Sequence, residues 1–171
     1  MNIQKYTEKA QEAIAGAQQL ADREGNPEIT PEHVLLTLID QQGGVVPDIL
    51  RKMNVDPAAA AASVRAELAR LPSAQGGSQP GLSARLRQVA NAAEAEAERL
   101  KDEYVSTEHL LLALAGEGGR TAPSARILSS LGASKDAILR ALTSVRGNQR
   151  VTSQTPESTY QSLEKYGRDL T

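Results

Sequence analysis

Apolar residues recur at steps of three and four between residues 86 and 100, where Leu86, Val89, Ala90, Ala93, Ala97 and Leu100 mark one face of an amphipathic helix. A similar stripe stands near the N-terminus as Ala10, Ala13, Ile14, Ala17 and Leu20. Alanine is prominent in both stripes, and small side chains let neighbouring helix backbones approach closely. Each stripe leads into a denser apolar run. One is Ile29-Thr30-Pro31-Glu32-His33-Val34-Leu35-Leu36-Thr37-Leu38, the other Val105-Ser106-Thr107-Glu108-His109-Leu110-Leu111-Leu112-Ala113-Leu114.

The two runs align with an offset of 76 positions, from His33 to His109. That offset also pairs Tyr6-Thr7 with Leu82-Ser83, Ala17 with Ala93, Ala21 with Ala97 and Pro47 with Pro123. Two extra residues then enter the second copy, so that Met53 pairs with Leu131 and Asp56 with Ser134. The chain reads as an internal duplication. The expected fold is all-α: two pseudo-repeats of about four helices each, packed into one globule and followed by a linker and a short C-terminal helix. One four-helix unit of this size would bury only a small core, which is why the copies are expected to share one.

Local signals place the helix ends. Thr30-Pro31 and Asp56-Pro57 set an oxygen acceptor at the cap and proline at the first helical position, where its missing N–H is not needed. Ser106 and Ser134 are the matching caps of the second copy, and Gly132 and Gly147 stand where helices close in the left-handed conformation. Residues 58–62, five alanines after Asp56-Pro57, read as strong helix former rather than low complexity.

The domain reading is a duplicated unit over 1–147, with repeat one at 1–71, a linker at 72–81 and repeat two at 82–147. Residues 72–81 have turn composition and no apolar period, and ten such residues reach roughly 17–19 Å as a coil. Residues 148–154 show no face to bury and read as a second linker. Thr155-Pro156-Glu157 then looks like a helix start, with Tyr160, Leu163 and Tyr166 along it. The whole of 148–171 is expected to lead toward a further, absent module, so the chain reads as a fragment.

Composition narrows the chemistry. Four tyrosines are the only aromatic residues, so the core must be aliphatic. Nineteen basic against 21 acidic residues, with no dense basic run, argue against a nucleic-acid partner. Without cysteine there is no disulfide or thiolate chemistry, and no stretch approaches the ~20 apolar residues of a membrane span. The expectation is a cytoplasmic chain with no membrane partner.

Catalytic signatures are missing. The Gly-rich turns at 42–44 and 117–119 are not followed by Lys-Ser or Lys-Thr, no G-x-x-x-x-G-K-[ST] occurs, and no G-x-S-x-G elbow is present. No cofactor is expected on this chain. His33 and His109 repeat each other beside Glu32 and Glu108, but two histidines without cysteine supply too few ligands for a metal. A packing or polar-satisfaction role inherited by both copies explains them.

The Thr/Ser-x-Glu-His-Leu/Val-Leu-Leu-x-Leu core, duplicated across 1–147, resembles the N-terminal domain of the Clp family of AAA+ unfoldases, and the tail 155–171 resembles the segment that leads into the first ATPase module of ClpB-type disaggregases. The resemblance implies a non-catalytic, mobile domain on a hexameric ring. It would bind exposed apolar segments of unfolded or aggregated polypeptides, help deliver them to the pore, and work beside its own ATPase modules and cooperating chaperones. ATP and Mg belong to those downstream modules. In similar domains a polar cluster beside an apolar groove engages substrate, and by position these fall on Thr7, Asp102 and Glu108, with Val89, Ala90, Tyr104 and His109 as neighbours. Ala90 and His109 stand where some relatives carry larger apolar residues, which implies a shallower groove.

Each of these residues also has a plainer role open to it. Thr7 can be the N-cap of the first helix, and Asp102 and Glu108 flank a helix start, where carboxylates gain from the helix dipole. Two other functions also remain open: docking of a folded adaptor, as in protease-linked Clp unfoldases, or a structural and regulatory role in the ring.

Overall fold

A computed structural model describes residues 2–74, 79–147 and 149–157. Its helices are α1 (Glu8–Arg23), α2 (Pro31–Asp40), α3 (Val46–Lys52), α4 (Pro57–Leu68), α5 (Ala84–Arg99), α6 (Thr107–Ala115), α7 (Pro123–Ser130) and α8 (Lys135–Arg146). Helices α5 and α6 begin 76 residues after α1 and α2. A short 3-10 turn at Glu117–Arg120 follows α6, and past it α8 begins 78 residues after α4.

The starts follow from their caps. Thr7, Ser83 and Ser134 accept from the amides of Ala10, Leu86 and Ala137, and Asp56 accepts from Ala58. Gly132, just past α7, takes a φ of +82°, a region L residues rarely adopt.

Helices α2 and α6 are buried around most of their circumference and form the centre. The alanine stripes of α1 and α5 lie on them, with Ala10, Ala13, Ala17 and Ala21 inside on one side and Ala93 and Ala97 on the other. The close approach is visible where the Thr37 hydroxyl donates to the Ala13 carbonyl at 2.8 Å. Across the halves α3 packs on α8, α4 on α7 and α2 on α6, and one hydrophobic core runs through both.

Two small β contacts cross between the halves, which the all-helical expectation does not include. Strand β1 (Glu28–Ile29), just before α2, pairs in parallel with β2 (Gly81–Leu82), just before α5. Tyr6, before α1, makes a parallel bridge to Val105, before α6. Ile29 with Leu82 and Val105 with Tyr6 are equivalent pairs, so each half lends its entry segment to the other.

Both segments expected to be free linkers are pinned where they are described. Pro72 accepts from Asn26 at 3.0 Å, Ala74 donates to Gly25, and Gly81 belongs to β2. Past α8, Val151 is fully buried in the core, contrary to the expectation that 148–154 has nothing to bury. Pro156 and Glu157 are helical, as expected for a helix start; Tyr160, Leu163 and Tyr166 lie outside the described residues.

Candidate functional site

His109 sits at the third position of α6, where its Nδ1 accepts from the Ser106 amide at 2.8 Å and completes a reciprocal cap with the Ser106 hydroxyl. An Nδ1 that accepts leaves the proton on Nε2. Nε2 faces Asp102 Oδ2 at 2.7 Å, and both side chains are fully enclosed. Arg146, from the last turn of α8, grips the same carboxylate at 2.5 and 3.0 Å and reaches Glu108 at 3.4 Å. Glu108 also accepts from the Ser106 hydroxyl. The Val151 amide adds a bond to Asp102 Oδ1 at 2.9 Å.

Burial by itself would raise the Asp102 carboxyl. The bonds from His109, Arg146 and Val151, with the Arg146 charge, outweigh it and bring it down to about 2. Asp102 is therefore ionised at neutral pH. Glu157 stands in the opposite condition: it is fully buried, and among the described residues no ion pair compensates its carboxyl group. Burial, reinforced by the Glu108 charge, pushes it up to about 8, while the neighbouring Thr7 hydroxyl and Lys9 pull the other way.

The structure thus brings Thr7, Asp102, Glu108 and His109 into one neighbourhood, with the Asp102 carboxylate and the whole of the other three enclosed. They do not rim an open groove: Thr7, Glu108 and His109 have no exposed surface. Val89 and Ala90 are 2% exposed each, so the expected apolar pair is largely covered as well. Thr7 does cap α1, and Glu108 lies in the first turn of α6. The resemblance alone could not tell a rim from an interior, because burial depends on how distant parts of the chain cover the cluster.

Two of the open clefts flank α5. One cleft is lined by Gln88, Val89, Ala92, Leu112, Ala113 and Gly116, with Glu96, Glu117 and Lys135 at its edge. The other, of about 500 Å³, is lined by Asp102, Tyr104 and Val105 with Asn91, Glu94, Glu98 and Lys5. Val89 and Tyr104 therefore fall in different clefts. Apart from Ile3, no large hydrophobic side chain is exposed among the described residues.

Arg146 and Glu157 belong to the cluster and were not picked out by the sequence reading. Arg146 looks like an ordinary basic residue in a last helical turn, and Glu157 like an ordinary acidic residue in a first one. Among the described residues no group of three or more histidine, cysteine or carboxylate side chains could hold a metal, and no helix is long and apolar enough to cross a membrane.

The family model of the Clp repeat (R) N-terminal domain matches residues 5–123. The chaperone protein ClpB of Rhodopirellula baltica is 46% identical over 170 residues, covering 99% of this chain and 19% of that protein. ClpB of Nitratidesulfovibrio vulgaris is 44% identical over 174 residues, covering 99% and 20%. Among solved structures, the Hsp104 N-terminal domain from Candida albicans superposes with a TM-score of 0.77 at 26% identity, covering 90% of this chain and 99% of that one. The chain spans about one fifth of the length of these ClpB relatives.

Proposed function

This chain belongs to the Clp repeat N-terminal domain family of ClpB- and Hsp104-type chaperones, and from that membership we propose that it is the substrate-engaging domain of an ATP-dependent protein disaggregase. The observation that carries the reading is the match to ClpB proteins over 99% of the chain. The geometry supports a binding module: the polar groups capable of acid–base work are tied to one another inside, and the surface offers open clefts.

In this reading, exposed apolar segments of unfolded or aggregated proteins lie along α5. The Val89 cleft offers the exposed Ala92 methyl and Gln88 stem over a covered apolar wall, and the Tyr104 cleft supplies one half-buried ring beside carboxylates at Glu94 and Glu98. Shallow clefts with few exposed apolar groups give weak single contacts, on the order of tens of micromolar or weaker. Several copies on one ring would raise the effective concentration and hold a segment near the pore. ATP and Mg would bind in modules outside this sequence.

The test is an NMR titration of the labelled chain with unstructured casein. Saturable shifts of Val89, Ala92, Tyr104 and Leu112 amides are expected. No shift at millimolar casein would overturn the reading and favour adaptor docking or a regulatory role in the ring.

A further inference from the structure

The chain that leaves α8 folds back over the Thr7–Asp102–Glu108 cluster. Arg146 Nε donates to the Gln149 carbonyl at 2.9 Å, and Arg150 donates to the Leu100 carbonyl at 2.8 Å. Val151 is clasped on both sides: its amide donates to Asp102 Oδ1, and its carbonyl accepts from the Glu103 amide at 2.7 Å. The Gln154 carbonyl then accepts from the Glu8 amide at the start of α1 at 2.8 Å, and its side-chain amide donates to the Gln4 carbonyl at 3.2 Å. Val151, Pro156 and Glu157 are buried, whereas Thr152, Ser153 and Thr155 between them are exposed.

The first half holds its exit segment in a comparable way. Asn26, the counterpart of Asp102, donates to the Pro72 carbonyl, and Ser73 donates to the carbonyl of Glu24, the counterpart of Leu100. There the chain goes on to β2 and the second half. The 149–157 segment makes the same kind of contact past α8, with Val151 bonded to Asp102 and Arg150 to Leu100. It also carries the buried Glu157, whose carboxyl group feels the charge of Glu108 and has no ion pair among the described residues.

We propose that residues 149–157 are a releasable strap, a segment of this chain docked on the Asp102–Glu108 cluster, and that a bound polypeptide reaches Thr7, Asp102 and Glu108 only when the strap is off. The access half of this proposal rests on the substrate-engaging reading above; the strap itself does not. Release is opposed by burial of Val151 and Pro156 and by the bonds at Asp102, Glu103 and Glu8. It is favoured by ionisation of Glu157, which places a second negative charge beside Glu108.

The groups that face Glu157 are Glu108 on α6, Thr7 at the start of α1 and Lys9 on α1. Arg146 on α8 is engaged by Asp102 and Glu108. The docked carboxyl titrates at about 8, above its ordinary 4.5. Docking is therefore strongest below about pH 4.5 and weakens as pH rises toward 8.

Hydrogen exchange of the Glu8, Glu103 and Val151 amides in the full chain, corrected for intrinsic rates, reads docking without any substrate. Protection is expected to fall between pH 5 and pH 8. Glu157→Gln, which cannot ionise, should hold protection at pH 8 about tenfold or more above the unsubstituted chain and flatten the profile. Protection that is absent at every pH, or equal in the two proteins throughout, overturns the strap. Val151→Asp should remove protection at all three amides while α5 and α6 stay protected, and should tighten casein binding several-fold. Lost protection with unchanged casein affinity overturns the access half alone. No casein binding by any of the proteins overturns the substrate reading and leaves the strap standing on its exchange data.

Discussion

The two histidine caps are the same device set in different surroundings. In the first half His33 Nδ1 accepts from the Thr30 amide at 2.9 Å and Nε2 meets Asn26 Oδ1 at 2.9 Å. In the second, His109 repeats both bonds with Ser106 and Asp102. The partner seven residues upstream is a neutral amide in one and a carboxylate in the other. Burial lowers the pKa of His33, with Glu32 and Glu24 acting against it, and keeps that ring neutral. The carboxylate of Asp102 instead recruits Arg146 and, through it, Glu108.

The two glutamates diverge in the same way. Glu32 reaches across to the second half, where Arg85 holds it by two bonds at 3.0 and 2.8 Å and the Ser124 hydroxyl adds a third at 2.6 Å. Arg85 also pairs with Glu117, and these carboxylates outweigh the effect of burial and raise its pKa further. Glu108 stays within its own half and faces the strap. One copy of the motif joins the halves; the other joins the domain to the chain beyond α8. The cap, which depends on local spacing, is the same in both halves, and the outward-facing partners differ.

Five substitutions break or sharpen this contrast. Arg146→Met leaves Asp102 and Glu108 buried without their cation and should lower stability by about 3–5 kcal/mol, read from urea denaturation midpoints. Asp102→Asn gives the second half the first half's partner. Because the folded Asp102 carboxyl lies at about 2, below its ordinary 3.8, its contribution is present at neutral pH and is lost as pH falls from about 4 to about 2. The substitution should cost on the order of 2 kcal/mol at neutral pH and flatten the dependence of stability on pH across that acid window.

Arg85→Ala should cost about 1–2 kcal/mol, less than Arg146→Met because this side chain is 38% exposed and water replaces part of what is lost. Adding Glu32→Gln should recover part of that cost, since the uncompensated charge is then gone; a double-mutant cycle measures the coupling. Arg65→Ala removes an exposed pair with Asp40 and should change stability by about 0–1 kcal/mol. A loss there as large as at Arg146 would undo the distinction between enclosed and exposed pairs.

Much of the fold was legible because its signals are local. Alanine and leucine at three- and four-residue steps announce α1 and α5, and Thr30-Pro31, Asp56-Pro57, Ser106 and Ser134 stand at the caps they were assigned. The burial of Thr7, Glu108 and His109 was not legible. A carboxylate in a first turn looks alike whether it faces water or an arginine 38 residues away. Val151 is illegible for a similar reason: one apolar residue among polar ones has no period, and only its position against Asp102 and Glu103 makes it an anchor.

By itself the sequence determined the helical elements and their caps, because each rests on residues within a few positions of one another. Tertiary structure alone decided which half of each motif turns inward, that β1 and β2 cross between the copies, and that residues 149–157 close over the polar cluster. Those outcomes depend on desolvation and on charges brought together from distant parts of the chain, quantities that no local spacing encodes.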